Sequence, residues 1–298
     1  MSKNFFAVLA AFTAITIGAS AVTFNLKNPR DIKNWESFAI VGDAGMKNST
    51  TQSLRQTLAA NKMFNLIMPG DNLYIPTTTY ASVWDIWKKE GFQFPIVAIG
   101  NHNSGYDKEV AYFQMPGEYY AKESKGALFI VLNSDNKINY NEQLAWMDLT
   151  LSKSQYPLNF IIYHHPTITV SGAHDWEERK GFQTGMRALI KKHAQKITSL
   201  IVGHDHSAGL YTINDTPMIL SGASWESRKI KLPVAKDPQV NAIGYWATVN
   251  GGFWWTKLDY NALTKEVYVH YIRFDKQQEV CTFRISPKPI AKTNGCNL

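Results

Sequence analysis

An α/β fold is what this sequence predicts, and three observations predict it. Short apolar runs rich in β-branched and aromatic residues recur at residues 38–41, 66–68, 96–99, 128–132, 159–163 and 199–202, as buried strands do. Segments with apolar residues at helical spacing lie between them, without internal repeats or low-complexity linkers. Five of the six runs lead into a short polar motif, four of them opening on glycine, placed where open α/β sheets gather their ligand sites, at the carboxyl ends of strands.

The elements are justified in chain order. Lys3 precedes an apolar run at residues 5–17 and then Ala19-Ser20-Ala21, the charged, apolar and small-residue order of a secretory signal peptide. That run is too short to span a bilayer comfortably. Residues 1–21 are therefore read as a cleaved signal peptide and residues 22–298 as a single catalytic domain, with an uncleaved membrane anchor as the alternative. Export to a periplasm or the exterior follows in either case. A first helix is expected at residues 51–61, where Leu54, Leu58 and Ala59 recur at helical spacing, and another at 141–152, where Leu144, Met147, Leu149 and Leu151 mark a broad face with Trp146. Lys191-Lys192-His193 reads as a solvated helix face. From Met218 onward the chain is strand-rich, and Trp246, Phe253, Trp254 and Trp255 read as packing between sheets. Cys281 and Cys296, the only cysteines, both lie in the tail, where an oxidising compartment permits a local disulfide and two unpaired thiols are the alternative.

Composition bounds the function. With 298 residues, 45% hydrophobic and 18% charged, the chain can bury a core, and no stretch is biased enough for disorder. The net charge is +7, and loss of residues 1–21 removes only Lys3, leaving +6. Such a field favours anionic substrates such as phosphate esters. It lacks the concentrated basic stripe that nucleic acid requires.

The five motifs are Gly42-Asp43-Ala44-Gly45, Gly70-Asp71-Asn72-Leu73-Tyr74, Gly100-Asn101-His102, His164-His165-Pro166 and Gly203-His204-Asp205-His206. A lone Gly-Asp pair is usually a turn. Together, though, these motifs supply two aspartates, an asparagine, a tyrosine and at least three histidines, the ligand count of a two-metal hydrolytic centre. Glycines at 42, 45, 70, 100 and 203 allow tight turns that bring short side chains to a shared point.

This motif set resembles the metallophosphoesterase (calcineurin-like) superfamily over residues 38–206. The Asp-x-Gly first motif and Tyr74 make it similar to the purple acid phosphatase branch. The resemblance implies a four-layer α/β/β/α sandwich with two central mixed sheets. It implies that Asp43, Tyr74 and His206 hold one metal, that Asn101, His164 and His204 hold the second, and that Asp71 bridges the two. It further implies ferric iron at the first site and ferrous iron, zinc or manganese at the second. Hard oxygen donors suit a trivalent ion and imidazoles a divalent one. The family's His-x-Pro pattern selects His164 over His165, which is left a packing or outer contact role. His102 matches the histidine that contacts phosphate or donates a proton, and His174, in the loop at 167–175, matches the substrate-loop histidines. Where the family usually has an acidic residue after the third motif, this chain has Asn103, which weakens orientation of His102.

The implied function is an exported binuclear-metal phosphatase acting on phosphate monoesters, its substrate a small phosphate ester or a phosphorylated macromolecule. Membrane contact is expected only if the N-terminal segment stays uncleaved. A phosphodiesterase acting on cyclic nucleotides, nucleic acid or phospholipid headgroups is the alternative within enzymes. A secreted, metal-structured but inactive binding protein is the alternative of another class.

Overall fold

The computed structural model describes residues 34–74, 79–137, 139–169, 174, 178–228, 240–246 and 251–294. The expected signal segment and Cys296 lie outside them. In chain order the elements are β1 (Glu36–Ile40), α1 (Ser49–Ala60), β2 (Asn65–Met68), α2 (Tyr80–Lys89), β3 (Gln93–Val97), α3 (Tyr106–Phe113) and β4 (Tyr120–Ser124). Then come β5 (Ala127–Val131), α4 (Tyr140–Lys153), β6 (Leu158–Ile162), α5 (Lys180–Lys192), β7 (Ser199–Val202), β8 (Ala208–Ile213) and β9 (Thr216–Ser221). The tail adds β10 (Val240–Trp246), β11 (Trp254–Asn261), β12 (Glu266–Arg273), β13 (Gln278–Ser286) and β14 (Ala291–Asn294). All six apolar runs form strands, and the two expected helices form within two residues of their expected ends.

Among the described residues the strands form two seven-stranded mixed sheets, ordered β14-β13-β12-β11-β1-β2-β3 and β10-β8-β9-β7-β6-β5-β4. β1, β2 and β3 run parallel in the first, and β5, β6, β7 and β9 run parallel in the second. The chain therefore folds as two mixed sheets between helical layers, as expected.

Alternation along the strands builds the core. Phe160 and Ile162 of β6 join the cluster between the sheets. Ile161 and the neighbouring Tyr163 join the cluster beneath α4 and α5, with Leu144, Met147, Phe182 and Met186. Between the sheets, Phe38 and Tyr260 of the first meet Phe129 and Phe160 of the second, with ring centroids 5.6–6.0 Å apart. The sheets are also tied directly: the Tyr271 hydroxyl donates to the Gly209 carbonyl at 2.6 Å, and the Gly42 N–H to the Ser221 carbonyl at 2.9 Å. At α1, the Asn48 side chain accepts from the Thr51 N–H while the Thr51 hydroxyl oxygen accepts from the Asn48 N–H, a reciprocal cap that fixes where the helix begins.

In the tail, β11 to β14 complete the first sheet and β10 edges the second. Trp254 and Trp255 are buried, in keeping with a packing role, and Phe253 packs against the same core; the Trp246 side chain lies outside the described residues. Cys281 is buried and disulfide-bonded. One expectation is corrected: Lys191 and Lys192 are exposed, but His193 is buried, its Nε2 2.6 Å from an Asp148 carboxylate oxygen of α4. A buried ion cluster also went unforeseen. Asp259 accepts from the Ser37 hydroxyl at 2.6 Å and pairs with Lys257 at 2.8 Å and His270 at 3.1 Å.

Because Phe160 is fully buried at the contact of the two sheets, Phe160→Ala should cost about 3–5 kcal/mol of stability. Urea unfolding measures it; a loss under 1 kcal/mol, on the same scale, would show that the inter-sheet core does not carry the fold.

Candidate metal centre

The five motifs meet at one edge of the molecule but come from both sheets. Asp43, Asp71, Tyr74, Asn101 and His102 follow β1, β2 and β3 of the first sheet; His164, His204 and His206 follow β6 and β7 of the second. Convergence needs unusual backbone. Asp43, Asp71, His204 and His206 all have positive φ, between 46° and 70°, a region costly for residues with a Cβ unless the surroundings impose it. Two glycines leave room that no side chain could share. A Cβ on Gly100 would lie 2.2 Å from an Asp71 carboxylate oxygen, and one on Gly70, at φ +102°, would lie 2.5 Å from the His164 ring. Of the five glycines expected in turns, Gly70 is the one with positive φ; Gly42, Gly45, Gly100 and Gly203 serve by close approach.

Two groups of atoms face each other across Asp71. In the first, His164 Nε2 lies 3.1 Å from Asp71 Oδ1, 3.1 Å from Asn101 Oδ1 and 3.2 Å from His204 Nδ1. In the second, Tyr74 Oη lies 2.7 Å from Asp71 Oδ2, 3.1 Å from Asp43 Oδ1 and 3.0 Å from His206 Nε2. All seven expected metal ligands are thus brought together, in the two sets expected, with one Asp71 oxygen in each.

The chemistry of these sets fits cations. Each group gathers three acceptor atoms around one atom that can offer a single proton, so most of the lone pairs have no hydrogen to share. Buried acceptors without donors are costly, and a positive ion relieves them. The histidine, aspartate and related carboxylate atoms include two such clusters within 4.8 Å, Asp43–Asp71–His206 and His164–His165–His204.

Ionisation reflects the same crowding. Burial pushes the Asp43 carboxyl well above its usual value, and the Asp71 charge adds to this. Burial acts likewise on Asp71, but His164 and the His102 N–H outweigh it and hold that carboxylate low. Burial would keep His164 neutral; the Asp71 charge overrides it and raises the ring to about 9. His204 and His206 are lowered by burial, His206 to about 3. Burial and both carboxylates push the Tyr74 phenol well above its usual value, so the metal-free protein keeps it a donor.

The candidate proton donors sit on opposite flanks. His102 is exposed, its ring 4.5 Å from Tyr74, and among the described residues its ring nitrogens have no hydrogen-bond partner. Its backbone N–H donates to Asp71 Oδ1 at 2.9 Å. Asn103 turns away, donating to the Gly100 carbonyl and accepting from the Gly105 N–H. His174 packs tilted against His204 with ring centroids 3.9 Å apart and is held on both sides, by Glu178 at 3.4 Å and Arg228 at 3.2 Å. His165 is buried against His204 at 4.4 Å, its Nδ1 2.9 Å from the Ser134 hydroxyl, and its buried Nε2 has no hydrogen-bond partner among the described residues.

Sequence reasoning missed Glu178, Trp225, Glu226, Arg228 and Glu109. The first four edge the centre from two loops. Glu109 lies beneath it, fully buried on α3, accepting from the Asn72 amide at 2.7 Å and from the Tyr80 hydroxyl at 3.0 Å. It thereby braces the residue after Asp71.

No family model and no curated protein matches the chain. Among solved structures, GAP50, described as the anchor in the inner membrane complex of Plasmodium, superposes with a TM-score of 0.67 at 15% identity, over 86% of this chain and 90% of that one. PhoD superposes with a TM-score of 0.61 at 12% identity, over 94% and 74%. At these identities the likeness is one of fold: two mixed sheets between helical layers.

Burial raises Glu109 to about 8 from an ordinary 4.5. The native state therefore holds a proton that the unfolded state has released between those values, and stability should fall as pH rises from 4.5 to 8. Glu109→Gln should flatten that part of the stability curve of the metal-free protein. An unchanged slope in urea titrations across pH would assign the effect elsewhere.

Proposed function

We propose that this protein is a metal-dependent phosphoric ester hydrolase that uses two cations to hydrolyse phosphate monoesters. The observation that carries the reading is Asp71, whose two carboxylate oxygens are divided between two ligand sets, His164 with Asn101 and His204 on one side, Tyr74 with Asp43 and His206 on the other. Cations held by these residues would supply Lewis acidity toward phosphoryl oxygens and would lower the pKa of a nucleophilic water.

The chain's own residues do the rest. Asp43, Asp71 and Tyr74 supply anionic oxygen to one set, which suits ferric iron; imidazoles dominate the other, which suits ferrous iron, zinc or manganese. His102, exposed and seated on Tyr74, is placed to give a proton to the departing alkoxide. His174 can serve the same end only after Arg228 releases its Nε2. The substrate is a small phosphate ester or a phosphorylated macromolecule. The reading includes export, supported by Lys3, the apolar run at 5–17 and Ala19-Ser20-Ala21, and by a disulfide-bonded Cys281. Chain sequencing of the mature protein should begin near residue 22; an intact Met1 would return the N-terminal segment to the role of anchor.

A second reading, a binding protein that keeps the fold and centre without turnover, is favoured by the likeness to an anchor protein, GAP50. Complete ligand sets favour the enzyme. Turnover of a chromogenic phosphate monoester against its matched diester, with iron plus zinc or manganese supplied, separates the readings. Monoester preference supports the proposal, diester preference makes the protein a phosphodiesterase, and no turnover of either supports the binding protein.

Two substitutions test the centre. Asp71→Ala should lose at least one ion and nearly all turnover, and retention of both ions would refute the bridge. Tyr74→Phe should remove a visible absorption band from the iron-loaded protein; an unchanged spectrum would exclude the phenol as ligand.

A further inference from the structure

We infer that Glu178 and Glu226 are positioning residues, each holding the outward ring nitrogen of one fifth-motif histidine so that the inward nitrogen offers a lone pair to the centre. The inference rests on the two-cation reading above and deepens it. His204 Nε2 is hydrogen-bonded to Glu178 Oε2 at 2.8 Å, and His206 Nδ1 lies at ion-pair distance, 2.9 Å, from Glu226 Oε2 without hydrogen-bond alignment. His164 is held the same way, its Nδ1 2.9 Å from the Pro69 carbonyl. A carbonyl or carboxylate oxygen only accepts, so the proton it holds in His164 and His204 sits on the outward nitrogen, and the inward nitrogen is the one that would offer a lone pair to a cation.

The inward atoms are not chemically alike. They are Nε2 in His164 and His206 but Nδ1 in His204. No intrinsic preference of imidazole makes that choice; the acceptor behind each ring does. A carboxylate in that place also fixes the ring's orientation and raises the basicity of the ligating nitrogen.

The two carboxylates are joined. Arg228 pairs with Glu226 at 3.0 Å and donates to His174 Nε2 at 3.2 Å, while His174 Nδ1 faces Glu178 at 3.4 Å. The Arg228 N–H also donates to the His206 carbonyl at 2.9 Å. A polar chain thus runs from His206 through Glu226, Arg228, His174 and Glu178 to His204, linking the loop after β9 to the segment before α5. The competing assignment is direct ligation, because His174, Glu178 and His204 also bring ligand atoms within 4.8 Å of one another.

The test uses the full chain stripped of metal and titrated with zinc, read by calorimetry and by metal content. Wild type should take two ions. Glu178→Ala and Glu226→Ala should each still take two, one of them bound about 10- to 100-fold more weakly. The glutamine variants, which keep an acceptor oxygen but lose the charge, should fall between, and they report the same affinity should an alanine variant fail to fold. Affinities within threefold of wild type in all variants would overturn the role. A third ion in wild type that Glu178→Ala loses would make Glu178 a ligand instead. Fewer than two ions in wild type would overturn the centre itself, and this role with it.

Discussion

Asp71 sits where two sets of lone pairs would otherwise collide. One of its oxygens faces His164 and the other faces Tyr74, and both ligand sets are arranged around that division. To hold a buried carboxylate in this place the chain accepts positive φ at Asp71 itself and at three further site residues. It gives up any side chain at Gly100, where a Cβ would touch Asp71, and it buries Glu109 beneath the same turn. Strain of this kind persists only when the surroundings determine it. Here they do so through the seam between β1 and β9, where Gly42 and Ser221 join the two sheets beside the centre.

Much of the fold was legible in the sequence because its central strands are buried on both faces and read as continuous apolar runs, as in residues 159–163. Strands of the tail were harder. β11 carries Lys257 and Asp259 on a buried face, where Asp259 gathers Ser37, Lys257 and His270 from three strands. An alternating polar residue of that kind looks like solvent-facing sequence until its partners are known. His193 misled for the same reason, since its partner Asp148 lies on a different helix.

At the centre the division is similar. The seven candidate ligands were legible because each lies in a short motif directly after a strand, four of the five motifs opening on glycine. The residues behind them were not. Glu178 comes from the segment before α5, and Trp225, Glu226 and Arg228 follow β9, which runs parallel to β7 and so ends at the same edge. Reading residues 216–221 as one more parallel strand would have brought that loop to the site. Glu178 has no such signal, because nothing local marks an acidic residue as the partner of a histidine 26 positions away.

The origin of the ligands in two different sheets has a mechanical result. Each ligand set mixes residues from both, Asn101 with His164 and His204, and Asp43 and Tyr74 with His206. An ion bound in either set is therefore a cross-link over the same seam that Phe38, Phe129, Phe160 and Tyr260 close with apolar contact. Occupancy and folding become one equilibrium: at a free ion concentration about 100 times its dissociation constant, each site adds roughly 2.7 kcal/mol to the unfolding free energy. Chelation should then act on this protein as a mild denaturant does, loosening the sheets from the end where the candidate centre lies.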